Sequence, residues 1–157
     1  MFVIGIDADA ASMRHASRAA ARPIDKGGLP NALFVVAAVE SIPHELETVA
    51  DEVRVAFPWG SLLRGILGRD ERALWGIARV ARCGAPVQAL VSITERDGLG
   101  LSTEVDPASY EAQGLRLIEV RPAGRDEIAA AESSWAKRLR AGVDRPVTLI
   151  RAVRAGC

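Results

Sequence analysis

The stretch Phe2-Val3-Ile4-Gly5-Ile6-Asp7 is a short continuous run of apolar residues that ends in an acid. A run of this kind is typical of a strand that is buried on both faces of a parallel sheet, whereas a strand with one exposed face alternates apolar and polar residues. A helix should follow such a strand. The stretch therefore predicts the first strand of an α/β fold.

The rest of the chain keeps the alternation of strand and helix. Strands are predicted at residues 33–39, 52–57, 86–93, 115–120 and 147–153. Helices are predicted at residues 8–22, 43–50, 61–81 with a break near Gly68, 107–113, and 124–140 with a break near the serine pair. This order predicts one α/β domain over residues 1–157 with helices on both faces of its sheet, and a basic, tryptophan-containing C-terminal segment from about residue 114.

Composition places the chain among ordinary globular proteins. With 157 residues, 49% of them hydrophobic and 25% charged, it can bury a core. The formal net charge is zero, but residues 1–113 hold 11 basic and 15 acidic residues (net −4), and residues 114–157 hold 9 and 5 (net +4). This asymmetry fits a positive face that binds a polyanion, although exposed arginines are more often merely solvated.

Several classes of protein are not expected. No apolar stretch approaches the roughly 20 residues that cross a bilayer. The apolar opening runs straight into Asp7 without the pattern of a secretory leader. Cys83 and Cys157 are too few and too far apart for a zinc site. We therefore expect a cytoplasmic protein with neither a membrane span nor a metal.

Acids follow two successive predicted strands. In doubly wound sheets, ligands bind outside the carboxyl ends of the strands, where an acid often accepts hydrogen bonds from a ribose diol. Asp7 fits that role, and it fits the N-cap of the next helix about equally well. Glu40, with Val39 beside it, occupies the corresponding end of the next strand, where an adenine ring could be covered. Two such positions favour a nucleoside site.

Two tryptophan motifs suggest a clamp for a nucleobase. They are Phe57-Pro58-Trp59-Gly60 and Ser133-Ser134-Trp135-Ala136-Lys137-Arg138-Leu139. Bases that are extracted from a stack are typically held between aromatic or apolar faces. A lone tryptophan is nevertheless more often a core residue, and we assign Trp75 to helix packing. The candidate contacts to RNA phosphates are Arg18, Arg22, Lys26, Lys137, Arg138 and Arg145.

Five blocks of sequence, in order along the chain, carry a resemblance to a known family. They are Gly5-Ile6-Asp7, Lys26-Gly27-Gly28-Leu29-Pro30-Asn31, Phe34-Val35-Val36-Ala37-Ala38 with Glu40, Phe57-Pro58-Trp59-Gly60-Ser61-Leu62-Leu63, and Trp135-Ala136-Lys137-Arg138-Leu139. From residue 2 to about residue 153 the chain resembles the 16S ribosomal RNA (adenine-1408-N1)-methyltransferases. These are aminoglycoside-resistance enzymes of the kanamycin and apramycin type.

The resemblance implies a class I S-adenosylmethionine-dependent methyltransferase with a Rossmann-like sheet, which docks on the small (30S) ribosomal subunit and flips the decoding-site adenine. By similarity, Trp59 and Trp135 hold the flipped base. The residues implied to bind S-adenosylmethionine are Asp7 at the ribose, Val39 and Glu40 at the adenine, and Phe57, Ser61 and Ser133 in the shared pocket. The six basic residues named above match RNA-docking surfaces of the family.

Two departures from the family pattern accompany the resemblance. The family's opening strand and its Gly-Thr-Gly-Asp-Gly turn have no counterpart here, so we expect an N-terminally truncated sheet in which two strands lack a shared partner. Val143 stands where the family usually has an arginine. The main hypothesis is a methyltransferase acting on N1 of the decoding-site adenine and giving aminoglycoside resistance. The alternative is a truncated, inactive relative that acts at most as a weak RNA-binding module.

Overall fold

A computed structural model of the protein describes residues 1–138 and 140–155. Leu139, which ends the second tryptophan motif, and Cys157 lie outside the described residues. The strands are β1 (Val3–Asp7), β2 (Ala32–Val36), β3 (Val53–Ala56), β4 (Pro86–Val91), β5 (Leu115–Pro122) and β6 (Thr148–Arg154). The helices are α1 (Ala10–Ala20), α2 (Gly60–Ile66), α3 (Glu71–Val80), α4 (Pro107–Ala112), α5 (Arg125–Ala130) and α6 (Ser134–Arg138).

All six predicted strands are confirmed, as are the breaks that separate α2 from α3 and α5 from α6. Two predictions are wrong in detail. The helix predicted at residues 43–50 is only a 3₁₀ turn at His44–Leu46. The strand predicted at residues 33–39 ends at Val36, so that Val39 and Glu40 lie in a 3₁₀ turn, Val39–Ser41.

The chain forms two compact units, Met1–His44 and Glu45–Cys157. In the first unit, β1 and β2 pair in parallel, and α1 contacts both strands. The N-cap of α1 is Asp9, whose carboxylate accepts hydrogen bonds from the Ala11 amide at 2.9 Å and the Ser12 hydroxyl at 2.6 Å. The first unit is therefore one strand–helix–strand motif with a capped helix.

The first sheet is much more exposed than its sequence predicts. Val3 is 44% exposed, Leu33 47% and Val36 54%. The prediction that residues 2–7 are buried on both faces is therefore wrong. The reason is that β1 has only β2 as a hydrogen-bonded neighbour in the described chain, and a two-stranded sheet offers little surface to bury against.

The second unit contains a four-stranded mixed sheet with strand order β3-β4-β6-β5. β3 and β4 are parallel, whereas β6 runs antiparallel to both β4 and β5. The inner strands β4 and β6 are the most deeply buried, and neither Val91 nor Leu149 is accessible to solvent. In the part of the chain that the structure describes, β3 pairs with β4 alone and β1 with β2 alone.

Three helices of the second unit are joined by close contacts. α2 and α3 approach each other at Gly65, where an added Cβ would lie 2.8 Å from the Cβ of Ala73. α4 contributes Tyr110, whose buried hydroxyl donates to the Ile66 carbonyl at 2.6 Å, and burial raises the pKa of this phenol. None of the helices in the described residues has the length and apolar character needed to span a membrane.

Candidate functional site

Asp7 ends β1 and is exposed. Its Oδ1 accepts a hydrogen bond from the Asp9 amide at 2.8 Å, and its backbone carbonyl accepts one from the Ala37 amide at 3.1 Å. The N-cap of α1 is Asp9, so the capping alternative for Asp7 is wrong. Within the described chain, Oδ2 of Asp7 has no hydrogen-bond partner, which leaves it available to accept from a ribose hydroxyl.

The turn Val39–Ser41 lies at the same end of the first sheet as Asp7. Asp7 pairs with Val36 in the ladder, and the turn begins three residues beyond Val36. Val39 and Glu40 are both partly buried, and the Ser41 amide donates to the Ala38 carbonyl at 3.0 Å. The first unit therefore brings three of the predicted cofactor-binding residues to the same end of its sheet.

The three basic residues predicted in the first unit are all exposed. Arg18 lies in the last turn of α1, where a cation is favoured by the helix dipole, and Arg22 and Lys26 border the chain reversal that follows. A Cβ on Gly28 would lie 1.7 Å from the Arg22 carbonyl oxygen, so only glycine fits in this reversal. A tight turn therefore presents these cations to solvent.

Phe57 follows β3 with a strained backbone. Its φ is +53°, a left-handed conformation that is costly for a residue with a bulky side chain, and its amide donates to the Leu90 carbonyl at 2.8 Å. The ring is buried in a cluster with Leu90, Ala136, Val147 and Leu149. Strain of this kind is often found at functional sites, and here it turns the chain sharply at the carboxyl end of the strand.

Trp59 lies two residues beyond Phe57, at the N-cap position of α2. Its side chain is 46% exposed, so the alternative that it is a core residue is wrong. Ser61, also predicted to line the cofactor pocket, is partly buried in the first turn of α2. The structure thus places Phe57, Trp59 and Ser61 together at the end of β3.

Trp135 lies on α6 and is partly buried against the cluster that contains Phe57. The two rings stack with centroids 4.9 Å apart and an angle of 28° between their planes. Ser133 precedes α6, and its hydroxyl accepts a hydrogen bond from the Ala136 amide at 3.2 Å. The structure therefore joins Trp135 to Phe57, which is two residues from Trp59. That both indoles hold one base stays a prediction.

Arg145 makes a more specific set of contacts than a surface cation would. Its guanidinium carbon lies 5.3 Å from the centroid of the Trp135 ring. Its side chain is 15% exposed and binds the carboxylate of Asp97, which is 10% exposed, with a shortest distance of 2.6 Å. The hydrogen bond from Arg145 lowers the pKa of Asp97. Sequence reasoning missed Asp97, and its only signal is the Thr94-to-Asp97 spacing of a capping box.

Lys137 and Arg138 are exposed on α6, and Lys137 lines a groove between α5 and α6. The groove has a volume of about 350 Å³, and its other lining residues are Arg125, Ile128, Ala129, Glu132, Ser133, Ala136, Arg140, Ala141, Gly142 and Val143. Sequence reasoning missed Arg125 and Arg140, because α5 and α6 were predicted as one interrupted helix and their facing sides could not be known.

Trp75 differs from Trp59 and Trp135, the two tryptophans predicted to hold the target base. It was assigned to helix packing, but its side chain on α3 is 46% exposed. The Arg79 guanidinium lies 4.3 Å from the ring centroid and also pairs with Glu47. The packing assignment is therefore wrong, and the indole is covered on the surface by an arginine.

A charged cluster lies where β5, β6 and α5 meet. Arg121 binds both oxygens of Glu127, at 2.7 and 2.9 Å, and also contacts Glu119, which Arg151 reaches at 3.0 Å. The Gly124 amide donates to Glu127 at 2.7 Å. The Arg121 hydrogen bonds, followed by the Gly124 amide, lower the pKa of Glu127 to about 2. In the described residues, no three His, Cys, Asp or Glu side chains come together as a metal site.

Comparison with known proteins identifies the family. The profile of the family described as "NpmA: 16S rRNA (adenine(1408)-N(1))-methyltransferase" matches residues 1–154. The chain belongs to this family. The 16S rRNA (adenine(1408)-N(1))-methyltransferase of Streptoalloteichus hindustanus is 37% identical over 156 residues, covering 91% of this chain and 71% of that relative.

Solved structures agree with this NpmA family assignment. A mutant of the 16S rRNA (adenine(1408)-N(1))-methyltransferase from Catenulisporales acidiphilia, crystallised with its cosubstrate SAM, matches with a TM-score of 0.82 and 32% identity, covering 98% of this chain and 75% of that one. The aminoglycoside resistance methyltransferase NpmB1 matches with a TM-score of 0.72 and 33% identity, covering 98% and 76%. The predicted α/β methyltransferase fold and the predicted family are confirmed.

Proposed function

We propose that this chain is an S-adenosylmethionine-dependent methyltransferase that modifies N1 of the decoding-site adenine of 16S rRNA and thereby gives aminoglycoside resistance. The observation that carries the proposal is the match of one family profile to residues 1–154. The target is presented by the small (30S) ribosomal subunit, and the enzyme works in the cytoplasm, where that subunit is found. Residues 1–157 act as a single methyltransferase-like domain.

The residues at the end of the first sheet are suited to hold the nucleoside part of the cofactor. Asp7 offers an exposed carboxylate oxygen without a partner in the described chain, and a carboxylate is a strong acceptor for ribose hydroxyls. Val39 and Glu40, in the adjacent turn, flank the adenine. Phe57, Ser61 and Ser133, which belong to the second unit, also contact the cofactor in this proposal.

Trp59 and Trp135 hold the flipped target base in this proposal. The half-exposed ring of Trp59 has a face available for stacking, and Trp135 is kept near the same strand end by its contact with Phe57. Base–aromatic stacking contributes about 1–3 kcal/mol for each base. Arg18, Arg22, Lys26, Lys137 and Arg138 bind phosphates, whereas Arg145 contributes from its place beside Trp135.

Methyl transfer to adenine N1 requires little chemical participation from side chains. When bound, S-adenosylmethionine supplies an electrophilic methyl group on sulfur, and N1 of the adenine itself carries the lone pair that accepts it. No acid/base dyad is needed, so the chain contributes orientation and exclusion of water. The residues proposed to bind cofactor and base fit this requirement, because most of them have aromatic or hydrogen-bonding side chains.

The test measures methyl transfer from tritiated S-adenosylmethionine to 30S subunits, with primer extension to locate the modified base. The chain should label 16S rRNA and stop the primer at the decoding-site adenine, and Trp59→Ala should abolish both signals. Trp75→Ala is the matched control, because Trp59 and Trp75 are equally exposed at 46%. It should retain activity. Cofactor affinity, measured by calorimetry, should be similar in both variants.

The result that would overturn the proposal is 30S binding without any methyl transfer. That outcome would favour the alternative of an inactive relative that acts as a weak RNA-binding module. Equal activity of Trp59→Ala and Trp75→Ala would leave the reaction in place and remove Trp59 from the target site.

A further inference from the structure

Trp135 packs against a buried cluster, and two side chains have a defined geometry against its ring. Phe57 stacks on it with a centroid distance of 4.9 Å, and the Arg145 guanidinium carbon lies 5.3 Å from the ring centroid. Phe57 is fixed by burial and by the hydrogen bond from its amide to Leu90. Arg145 is a long side chain with many rotamers, so its place beside the indole needs a separate cause.

Asp97 and Ser92 provide that cause. Arg145 forms a two-pronged pair with Asp97, with Nη2 to Oδ2 at 2.6 Å and Nη1 to Oδ1 at 3.2 Å. Its Nε donates to the Ser92 hydroxyl at 3.3 Å, and that hydroxyl donates to the Pro146 carbonyl at 2.7 Å. A planar guanidinium held at three nitrogens can take only one orientation.

Asp97 is itself held in place by its own loop. Its Oδ2 accepts hydrogen bonds from the Thr94 amide at 2.8 Å and the Thr94 hydroxyl at 3.1 Å, which closes the 3₁₀ turn Glu95–Asp97. The pair is mostly buried, unlike the Arg140–Asp144 pair a few residues away, whose side chains are 65% and 54% exposed. A desolvated, hydrogen-bonded pair fixes geometry far better than an exposed one.

We propose that Asp97 is a positioning residue, which holds Arg145 against the indole of Trp135 and so sets the orientation of the target-binding ring. The proposal rests on the function proposed above and assigns a role to the loop that follows β4. Asp97 acts through Arg145, so its loss matters only while Arg145 is present. Without Asp97, the guanidinium is left with Ser92 and turns toward solvent or RNA phosphate, and the indole gains freedom.

The first test uses fluorescence and does not depend on activity. In a Trp59→Phe, Trp75→Phe background Trp135 is the sole tryptophan, and Asp97→Asn should shift its emission to the red and raise its quenching by acrylamide. Asp144→Asn, which removes the acid of the exposed pair, is the matched control and should leave both unchanged. In an Arg145→Gln background, Asp97→Asn should cause no further change.

The second test measures methylation of 30S subunits by the protein with all its tryptophans. Asp97→Asn should lower kcat by on the order of 10- to 100-fold, as expected for a misplaced reacting group, with unchanged affinity for S-adenosylmethionine. If Asp97→Asn does not fold, Arg145→Lys replaces it, because a lysine keeps the charge but cannot make the two-pronged contact.

The proposal is overturned if Asp97→Asn leaves Trp135 quenching unchanged, or if it changes quenching equally in the Arg145→Gln background. It is also overturned if the parent protein methylates 30S subunits and Asp97→Asn does so with the same kcat. A parent protein that transfers no methyl group at all would instead refute the proposed function, and the fluorescence result would still decide whether Asp97 positions Trp135.

Discussion

The two sheets of this protein differ in burial although their strands are similarly apolar. The strands of the first sheet read VIGID and ALFVV, and the inner strands of the second read PVQALV and TLIRAVR. Nevertheless Val36 in the first is 54% exposed, and Leu149 in the second is not exposed at all. Apolar sequence thus specifies a strand, but the number of neighbouring strands and helices decides whether that strand is buried.

The difference also separates the two parts of the proposed site. Asp7, Val39 and Glu40 lie at the end of the sparsely covered sheet, whereas Phe57 and Trp135 belong to a packed cluster of the second unit. A binding region with few buried contacts becomes rigid mainly when its ligand binds, whereas a well-packed region is already rigid without the ligand. Cofactor binding should therefore order the first unit more than the second.

The largest expected contrast comes from matched leucines. Leu149→Ala removes a fully buried side chain from β6 and should lower the free energy of unfolding by about 2–5 kcal/mol. Leu33→Ala, at a position 47% exposed in β2, should cost less than about 1 kcal/mol. Urea unfolding followed by circular dichroism measures both. Equal losses would mean that the first sheet is as well covered as the second.

A smaller effect is expected from the helix caps. Asp70→Ala removes the acceptor of the Ala73 amide at the start of α3, a helix with most of its residues buried, and should lower global stability by about 1 kcal/mol. Asp9→Ala removes the corresponding cap of α1, which buries only Ala20. For Asp9→Ala, the lost capping energy should therefore appear as local opening of α1 and hardly change global stability. Hydrogen exchange should therefore accelerate in α1 for Asp9→Ala while the urea midpoint hardly moves, and a matching shift of the midpoint would contradict this.

The smallest expected effect is a pH dependence of stability that arises from Glu127, which pairs with Arg121 of the second sheet. The pKa of Glu127 is about 2 in the folded protein, below its value of about 4.3 in an unfolded chain. Because the folded pKa is depressed, this stabilisation is fully present above about pH 4.3 and is lost as the pH falls toward 2. Glu127→Gln should flatten the acid limb of a stability–pH curve, and Glu111→Gln, on α4, is the control. Identical curves for wild type and Glu127→Gln would show that the Arg121 contact adds nothing.

The sequence predicted the element order well because its signals are local. Gly68 and the serine pair interrupt helices, and apolar runs mark every strand. The antiparallel direction of β6, between β4 and β5, could not be predicted in the same way, because pairing depends on residues far apart in the chain. The exposure of β1 and β2 escaped prediction for the same reason.

The sequence by itself determined the family, the strand and helix order, and the identity of the residues proposed to bind cofactor and RNA, because motifs and periodicity are properties of neighbouring residues. Only the tertiary structure revealed that Asp9 rather than Asp7 caps α1 and that Trp75 is a surface residue. It alone showed that Arg145 is bound by Asp97 beside Trp135. Asp97 and Arg145 are 48 residues apart in the sequence, and only the packing of the folded chain brings such groups within hydrogen-bonding distance.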